Sequence, residues 1–182
     1  MTLPAWLGRA VFYQIYPQSF YDANVDGIGD LAGIEAKLDY LADLGVNALW
    51  INPCFVSPFK DAGYDVADYC RIAPRYGTNA DFVSLLAAAH ARDIRVCLDL
   101  VAGHTSDQHP WFVESRRAQA NDYTDRYVWT NNPWVTRDEE LDFVSGTSDR
   151  AGAYATNFFA HQPALNYGFG APTRSYQQDI DA

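Results

Sequence analysis

The sequence predicts an α/β fold in which a parallel sheet is covered by helices on its outer face. Three observations lead there. Short, mostly apolar runs recur at residues 10–16, 46–51 and 94–101, without the strict polar alternation of a half-solvated strand. Between consecutive runs lie segments whose apolar residues repeat at helical spacing. Each strand-like run is bounded by proline, asparagine or a polar cluster, so the order strand, helix, strand, helix, strand reads directly along the chain.

The first run, "AVFYQIY", is stopped by Pro17. After a loop, Leu31, Ile34, Leu38, Leu41 and Leu44 mark one helical face, with Asp30 placed to cap the helix and Gly45 to end it. "VNALWI" is the second strand, closed by Asn52 and Pro53, and a loop is expected from there to Gly77. Asn79 opens a second helix whose face carries Phe82, Leu85, Leu86 and Ala89, and "IRVCLDLV" is the third strand. In such sheets, ligands sit outside the carboxyl ends of the strands. Here those ends are Tyr16–Pro17, Asn52–Pro53 and the stretch from Asp99 to His104.

Beyond His104 the pattern changes. "HPWFVESRRAQA" suits a short helix with Pro110 in its first turn. The remainder of the chain is irregular and aromatic, with an acidic patch at "RDEELD". A structureless loop of that length does not fit a compact domain, so a small inserted lobe is expected. The domain division is therefore 1–104 for the sheet-and-helix part and 105–182 for the lobe.

A net charge of -10 argues against nucleic acid and anionic membrane as partners, because both call for a basic face. The start, "MTLPAWLGRA", lacks a basic stretch followed by an apolar run, and no run is long enough to span a bilayer. Cys54, Cys70 and Cys97 are odd in number and widely spaced, which suits neither a disulfide framework nor a zinc site. A cytoplasmic setting is the expectation.

Three stretches could carry chemistry. "DANVDGIGD", residues 22–30, sets Asp22, Asn24, Asp26 and Asp30 around glycines, with the Ile28 carbonyl available. These match calcium-loop positions one, three, five, nine and seven, and Gly27 falls at the sharp turn. Position twelve is Gly33, where an EF-hand requires a bidentate glutamate, so an all-oxygen cation site of another kind is expected. Turn residues plus a helix cap are the plainer reading. "DAGYDVADY" offers Tyr64 as a stacking face and Asp65 as an acceptor of two hydroxyl hydrogens, a pairing that suits sugar rings. "DLVAGHTS" places the carboxylate of Asp99 in an apolar run, where an unpaired charge is costly, with His104 at the strand mouth. His90, His109 and His161 carry no such context and are read as structural.

Taken in order, "FYQIYPQSF", "DGIGDLAGI", "GVNALWINP", "GYDVADY", "YGTNADF" and "DLVAGHTS" resemble the alpha-amylase family of glycoside hydrolases, and "QPALNY" looks like that family's further short region in the inserted lobe. The resemblance implies a (β/α)8 TIM barrel, represented here by its first three β/α units, plus the lobe inserted after the third strand: an incomplete barrel. It implies retaining chemistry on α-glucosidic bonds, with two carboxylates about 5–5.5 Å apart as nucleophile and general acid/base. Those two residues belong to later strands, so none is expected in this chain and both are expected beyond Ala182.

By the same pattern, Tyr64 would stack on the sugar, Asp65 and His104 would hydrogen-bond its hydroxyls, and Asp99 would brace the site. Asp65 within "GYD" resembles the oligo-1,6-glucosidase, α-glucosidase and trehalose synthase branch, which implies a disaccharide, oligosaccharide or chain-end α-glucan substrate. The loop Asp22, Asn24, Asp26, Ile28 and Asp30 resembles that branch's cation site, with calcium expected and magnesium the alternative. The family's usual Asn before the region's His is Gly103 here, which implies loss of the separate calcium between barrel and lobe. Ala164 replaces an acidic residue of the "QP-x-LN" pattern. The function expected is that of the amino-terminal part of a glycoside hydrolase or transglycosylase. The alternative is a non-catalytic carbohydrate-binding fragment of the same fold.

Overall fold

The computed structural model describes residues 3–132 and 142–168. The chain divides into two compact units, one of residues 1–56 and 69–100 and the other of residues 57–68 and 101–182.

In the first unit, β1 (Phe12–Ile15) leads into a single helical turn, α1 (Pro17–Phe20). Pro17 therefore starts a helix as well as ending a strand, because its missing N–H costs nothing at the first helical position. The next helix comes in two pieces, α2 (Leu31–Ala36) and α3 (Leu38–Asp43). At Lys37 the backbone opens to φ -103°, ψ 5°, and its N–H reaches back only three residues, to Ile34. Leu31, Ile34, Leu38 and Leu41 are buried as their spacing predicts, but Leu44, beyond α3, is 56% exposed. β2 (Ala48–Ile51) comes next.

The stretch expected to be a plain loop up to Gly77 contains a two-stranded sheet, β3 (Phe55–Val56) with β4 (Asp68–Ile72). It is short, and its first strand falls between prolines, which is why the sequence hides it. α4 (Asn79–His90) opens on a capping box: Thr78 Oγ1 accepts the Asp81 N–H, and Asp81 accepts the Thr78 N–H. Only Leu85 and Ala89 of α4 are fully buried. β5 (Arg95–Leu98) is shorter than the run that predicts it, ending just before Asp99.

β1, β2 and β5 form one sheet in that order, both pairs parallel, with Ile15 opposite Ile51 and Ile51 opposite Leu98. The strand–helix alternation predicts this arrangement. Parallel neighbours need a helical crossover, which α2–α3 and α4 supply.

The second unit is more regular than its sequence suggests. α5 (Pro110–Ser115) has Pro110 at its first turn, as expected. β6 (Trp129–Thr130), β7 (Asp142–Ser145) and β8 (Ala153–Thr156) form an antiparallel sheet in the order β6-β8-β7. All four residues of β8 are buried, so it lacks the alternation that would reveal a strand. Phe112, Tyr127 and Tyr154 form the local core, with Phe112 meeting the other two rings edge-on at 5.1 and 4.9 Å. Of the expected acidic patch "RDEELD", all but Asp142 lies outside the described residues. Among the described residues, no helix is long and apolar enough to cross a membrane.

Candidate functional site

Asp65 sits at the end of a tightly turned loop in the second unit. Its carboxylate is fully buried, which would be costly without donors. Three donors meet it: Ser57 Oγ at 2.8 Å and the Asp61 N–H at 3.2 Å on Oδ1, and the Lys60 N–H at 2.9 Å on Oδ2. A carboxylate offers about four lone-pair positions, so one stays open among the described residues. Lys60 and Asp61 are themselves anchored. Lys60 Nζ lies 3.3 Å from Asp107, and Asp61 accepts from Gln162 Nε2 at 2.7 Å.

His104 lies in the same unit, 5% exposed, and its Nε2 donates to the Tyr64 carbonyl at 3.1 Å. Burial lowers its pKa, and that outweighs the Tyr64 carbonyl and the Asp61 and Asp65 charges, which act to raise it. Burial thus disfavours the charged form of the ring. Around it, the "AGHTS" and "QPALNY" segments are strapped together by backbone bonds, Leu165 N–H to Gly103 and Thr105 N–H to Pro163, while the Ser106 N–H bonds Val66. Tyr64 and Asp65, from one stretch of sequence, and His104, from another, are therefore brought together through the Tyr64 carbonyl. Phe158, 69% exposed, stands edge-on to the His104 ring at 5.6 Å. Gly103 occupies a tight place: its carbonyl accepts from Asn157 Nδ2 at 3.1 Å, and a β-carbon there would sit 3.2 Å from that nitrogen.

Asp99 belongs to the first unit. Its position beside an apolar strand is satisfied by the Trp50 indole, whose Nε1 donates to Oδ1 at 2.8 Å.

The loop at 22–30 also belongs to the first unit. Asp22 accepts the N–H groups of Val25 and Gly27, both at 2.7 Å, and of Asp26 at 3.3 Å. Asn24 Oδ1 accepts the Asp26 N–H at 2.9 Å, and Asp26 Oδ1 accepts the Ile28 N–H at 2.8 Å. The side chains thus turn inward, helped by positive φ at Val25 and Gly27. Desolvation acts to raise the Asp22 pKa, but the combined backbone donors overcome it and the net shift is downward. Asp30 is buried, and its Oδ1 caps α2 through the Gly33 N–H at 2.6 Å. Among the described residues no three His, Cys, Asp and Glu side chains group as metal ligands. A cation here would depend on Asn24 and the Ile28 carbonyl beside Asp22 and Asp26. That mixed oxygen set suits a hard cation.

Sequence reasoning missed four residues. Ser57, Asp61 and Gln162 matter only through contacts that span up to 101 positions. Phe158 carries no motif of its own, although its place four residues before Gln162 in an aromatic stretch was a signal. Conversely, His109 is structural as expected, its Nδ1 accepting the Trp111 N–H to cap α5.

Comparison with known proteins gives a consistent picture. The family described as "Alpha amylase, catalytic domain" matches residues 14–169. Trehalose synthase/amylase TreS of Mycolicibacterium smegmatis is 48% identical over 91% of this chain and 30% of its own length. Oligo-1,6-glucosidase of Parageobacillus thermoglucosidasius is 46% identical over 89% of this chain and 30% of its own. The crystal structure of isomaltulose synthase (PalI) from Klebsiella sp. LX3 superposes with a TM-score of 0.80 at 43% identity, covering 91% of this chain and 31% of that one. The chain thus spans about 30% of the length of the curated relatives it matches. The parallel strand–helix core and the strapped loops around Asp65 and His104 lie almost wholly within the matched residues, and on that ground the chain belongs to the alpha-amylase family.

Proposed function

We propose that this chain is the amino-terminal part of an enzyme acting on α-glucosidic bonds with retention, by hydrolysis or glucosyl transfer. The observation that carries the reading is the meeting of Asp65, His104 and Tyr64 within one compact unit, on loops held by Ser57, Gln162 and the Gly103–Leu165 strap. The relatives support it by name: trehalose synthase/amylase, oligo-1,6-glucosidase and isomaltulose synthase. In this reading residues 1–104 supply the first three β/α units of a (β/α)8 barrel, and residues 105–182 the lobe inserted after the third strand.

Asp65 would accept a hydroxyl hydrogen from a terminal glucose unit at its remaining lone pair. His104, whose charged form burial disfavours, would hydrogen-bond a neighbouring hydroxyl, and Tyr64 would pack on the ring face. Asp99, oriented by Trp50, would brace the strand end. The nucleophile and the general acid, two carboxylates spaced for a covalent glycosyl intermediate, would come from strands outside these 182 residues. A terminal-glucose grip favours short substrates over the interior of starch.

The loop at 22–30 would hold calcium, or magnesium, through Asp22, Asn24, Asp26, the Ile28 carbonyl and Asp30, whose other carboxylate oxygen caps α2. The ion's contribution there is to brace the loop.

The test is activity of the complete protein on maltose, isomaltose, trehalose, an aryl α-glucoside and starch. Turnover of the short substrates, with Asp65→Ala raising KM, is expected. Internal cleavage of starch at an equal rate would remove the terminal-glucose reading, and binding without turnover would favour a carbohydrate-binding role. For the loop, chelation and Asp26→Ala should each lower the melting temperature, and no shift in either would remove the cation.

A further inference from the structure

The loop that carries Asp65 holds a side chain at the junction of two constraints. Ser57 Oγ accepts the Phe59 N–H at 2.9 Å and donates to Asp65 Oδ1 at 2.8 Å, using both capacities of a hydroxyl at once. Between these contacts the backbone is unusual. Phe59 has φ 55° and Ala62 has φ 52°, left-handed conformations that residues with a β-carbon keep only when their surroundings impose them. They flank Lys60 and Asp61, whose N–H groups are the other two donors to Asp65. The loop is thus bent so that two successive amides face one buried carboxylate. Ser57 ties the start of that bend to its target.

We infer that Ser57 is a positioning residue for sugar recognition. It fixes the rotamer of Asp65 and the bend of residues 57–62, so that the open lone pair of the carboxylate keeps one direction. The inference rests on the reading of Asp65 as an acceptor of substrate hydroxyls. A serine serving only the turn would need the Phe59 N–H and nothing more. The bond to Asp65 makes the difference, and it predicts that loss of the hydroxyl damages discrimination between substrates.

The experiment compares Ser57→Ala, Ser57→Thr and Asp65→Asn in the complete protein, using an aryl α-glucoside and analogues that each lack one ring hydroxyl. The unsubstituted protein should disfavour the analogue missing the hydroxyl that Asp65 grips, and Asp65→Asn should erase that preference. Ser57→Ala should reduce the same preference by about tenfold, mainly through KM, and Ser57→Thr should restore it to within about threefold. If Ser57→Ala does not fold, Ser57→Cys, which keeps the shape in a slightly larger side chain but offers only a weak donor, should give the same loss. Full preference retained in a folded Ser57→Ala or Ser57→Cys variant would overturn the inference and leave Asp65 in its role. An unchanged preference in Asp65→Asn would overturn the reading of Asp65, and the role of Ser57 with it.

Discussion

Gln162 and Asp61, 101 residues apart in the chain, are joined by a 2.7 Å hydrogen bond from the amide Nε2 to the carboxylate Oδ2. Gln162 is fully buried, while Asp61 is partly exposed and donates its own N–H to Asp65. One amide therefore connects the "QPALNY" segment to the loop that presents the candidate sugar acceptor. Ser57 and the Lys60–Asp107 pair fix the same loop at other points.

This contact predicts a pH-dependent defect in Gln162→Glu. The introduced carboxyl would face Asp61 across a buried gap, where like charges and burial both raise its folded-state pKa above the usual 4.3 or so. The folded state then holds a proton that the unfolded state releases. The penalty should be small near pH 4 and grow as pH rises through that window, reaching about 3 kcal/mol at pH 7. Denaturant unfolding of variant and parent at both pH values measures it. A penalty independent of pH would mean that Asp61 and Gln162 are not coupled as the hydrogen bond requires.

Gly33→Ala tests a backbone approach that only glycine allows. A β-carbon there would lie 1.9 Å from the Tyr21 carbonyl oxygen, and a backbone atom cannot swing aside as a flexible side chain would. Helix propensity alone favours alanine over glycine by about 1 kcal/mol. Overpacking should reverse that sign and cost about 3 kcal/mol or more. Gly27→Ala is the contrast: the space is open, and only the positive φ of 90° opposes it. Melting temperatures should rank Gly33→Ala well below Gly27→Ala, and the reverse order would contradict the packing of α1 against α2.

How much of the molecule was legible in its sequence depends on the range of each interaction. The three parallel strands, the Asp30 cap and the α4 helix were readable because periodicity and capping act over a few residues. The Lys37 break was not, since nothing in "IEAKLDYL" departs from helical spacing. β8 was hidden for the opposite reason: buried throughout, it reads as "AYAT" with no alternation. Tyr64, Asp65 and His104 stood out by residue type and place. Ser57 and Gln162 are ordinary polar residues until tertiary contacts bring them to Asp65 and Asp61.

Thr78→Ala should cost about 1 kcal/mol by removing the acceptor for the Asp81 N–H, bonded at 3.2 Å. Thr78→Ser keeps the oxygen and should stay within about 0.5 kcal/mol of the parent. Equal stability of the alanine variant in urea unfolding would mean that the reciprocal Asp81 bond alone holds the start of α4.

His109 should set part of the acid sensitivity of the second unit. Its pKa is lowered from 6.5 to about 4, first by burial and further by the nearby Arg126 charge, against the opposing pull of Asp68. Nδ1 must stay unprotonated to accept the Trp111 N–H at 3.2 Å, so a proton would remove the cap of α5. Proton uptake sets the sign. Between pH 6.5 and about 4 the unfolded chain binds a proton that the folded chain refuses, so stability present above pH 6.5 falls as pH drops through that window. Allowing for solvent screening, the loss is on the order of 1–3 kcal/mol. His104 shifts in the same direction, so a pH profile of the parent alone cannot assign the effect. His109→Asn separates them, because an asparagine oxygen can cap α5 without titrating. The variant should match the parent near pH 7.5 within about 1 kcal/mol and lose less stability by pH 4.5. Parallel curves for the two proteins would show that His109 takes up its proton equally in the folded and unfolded chains, and its burial against Trp111 would then have no energetic consequence.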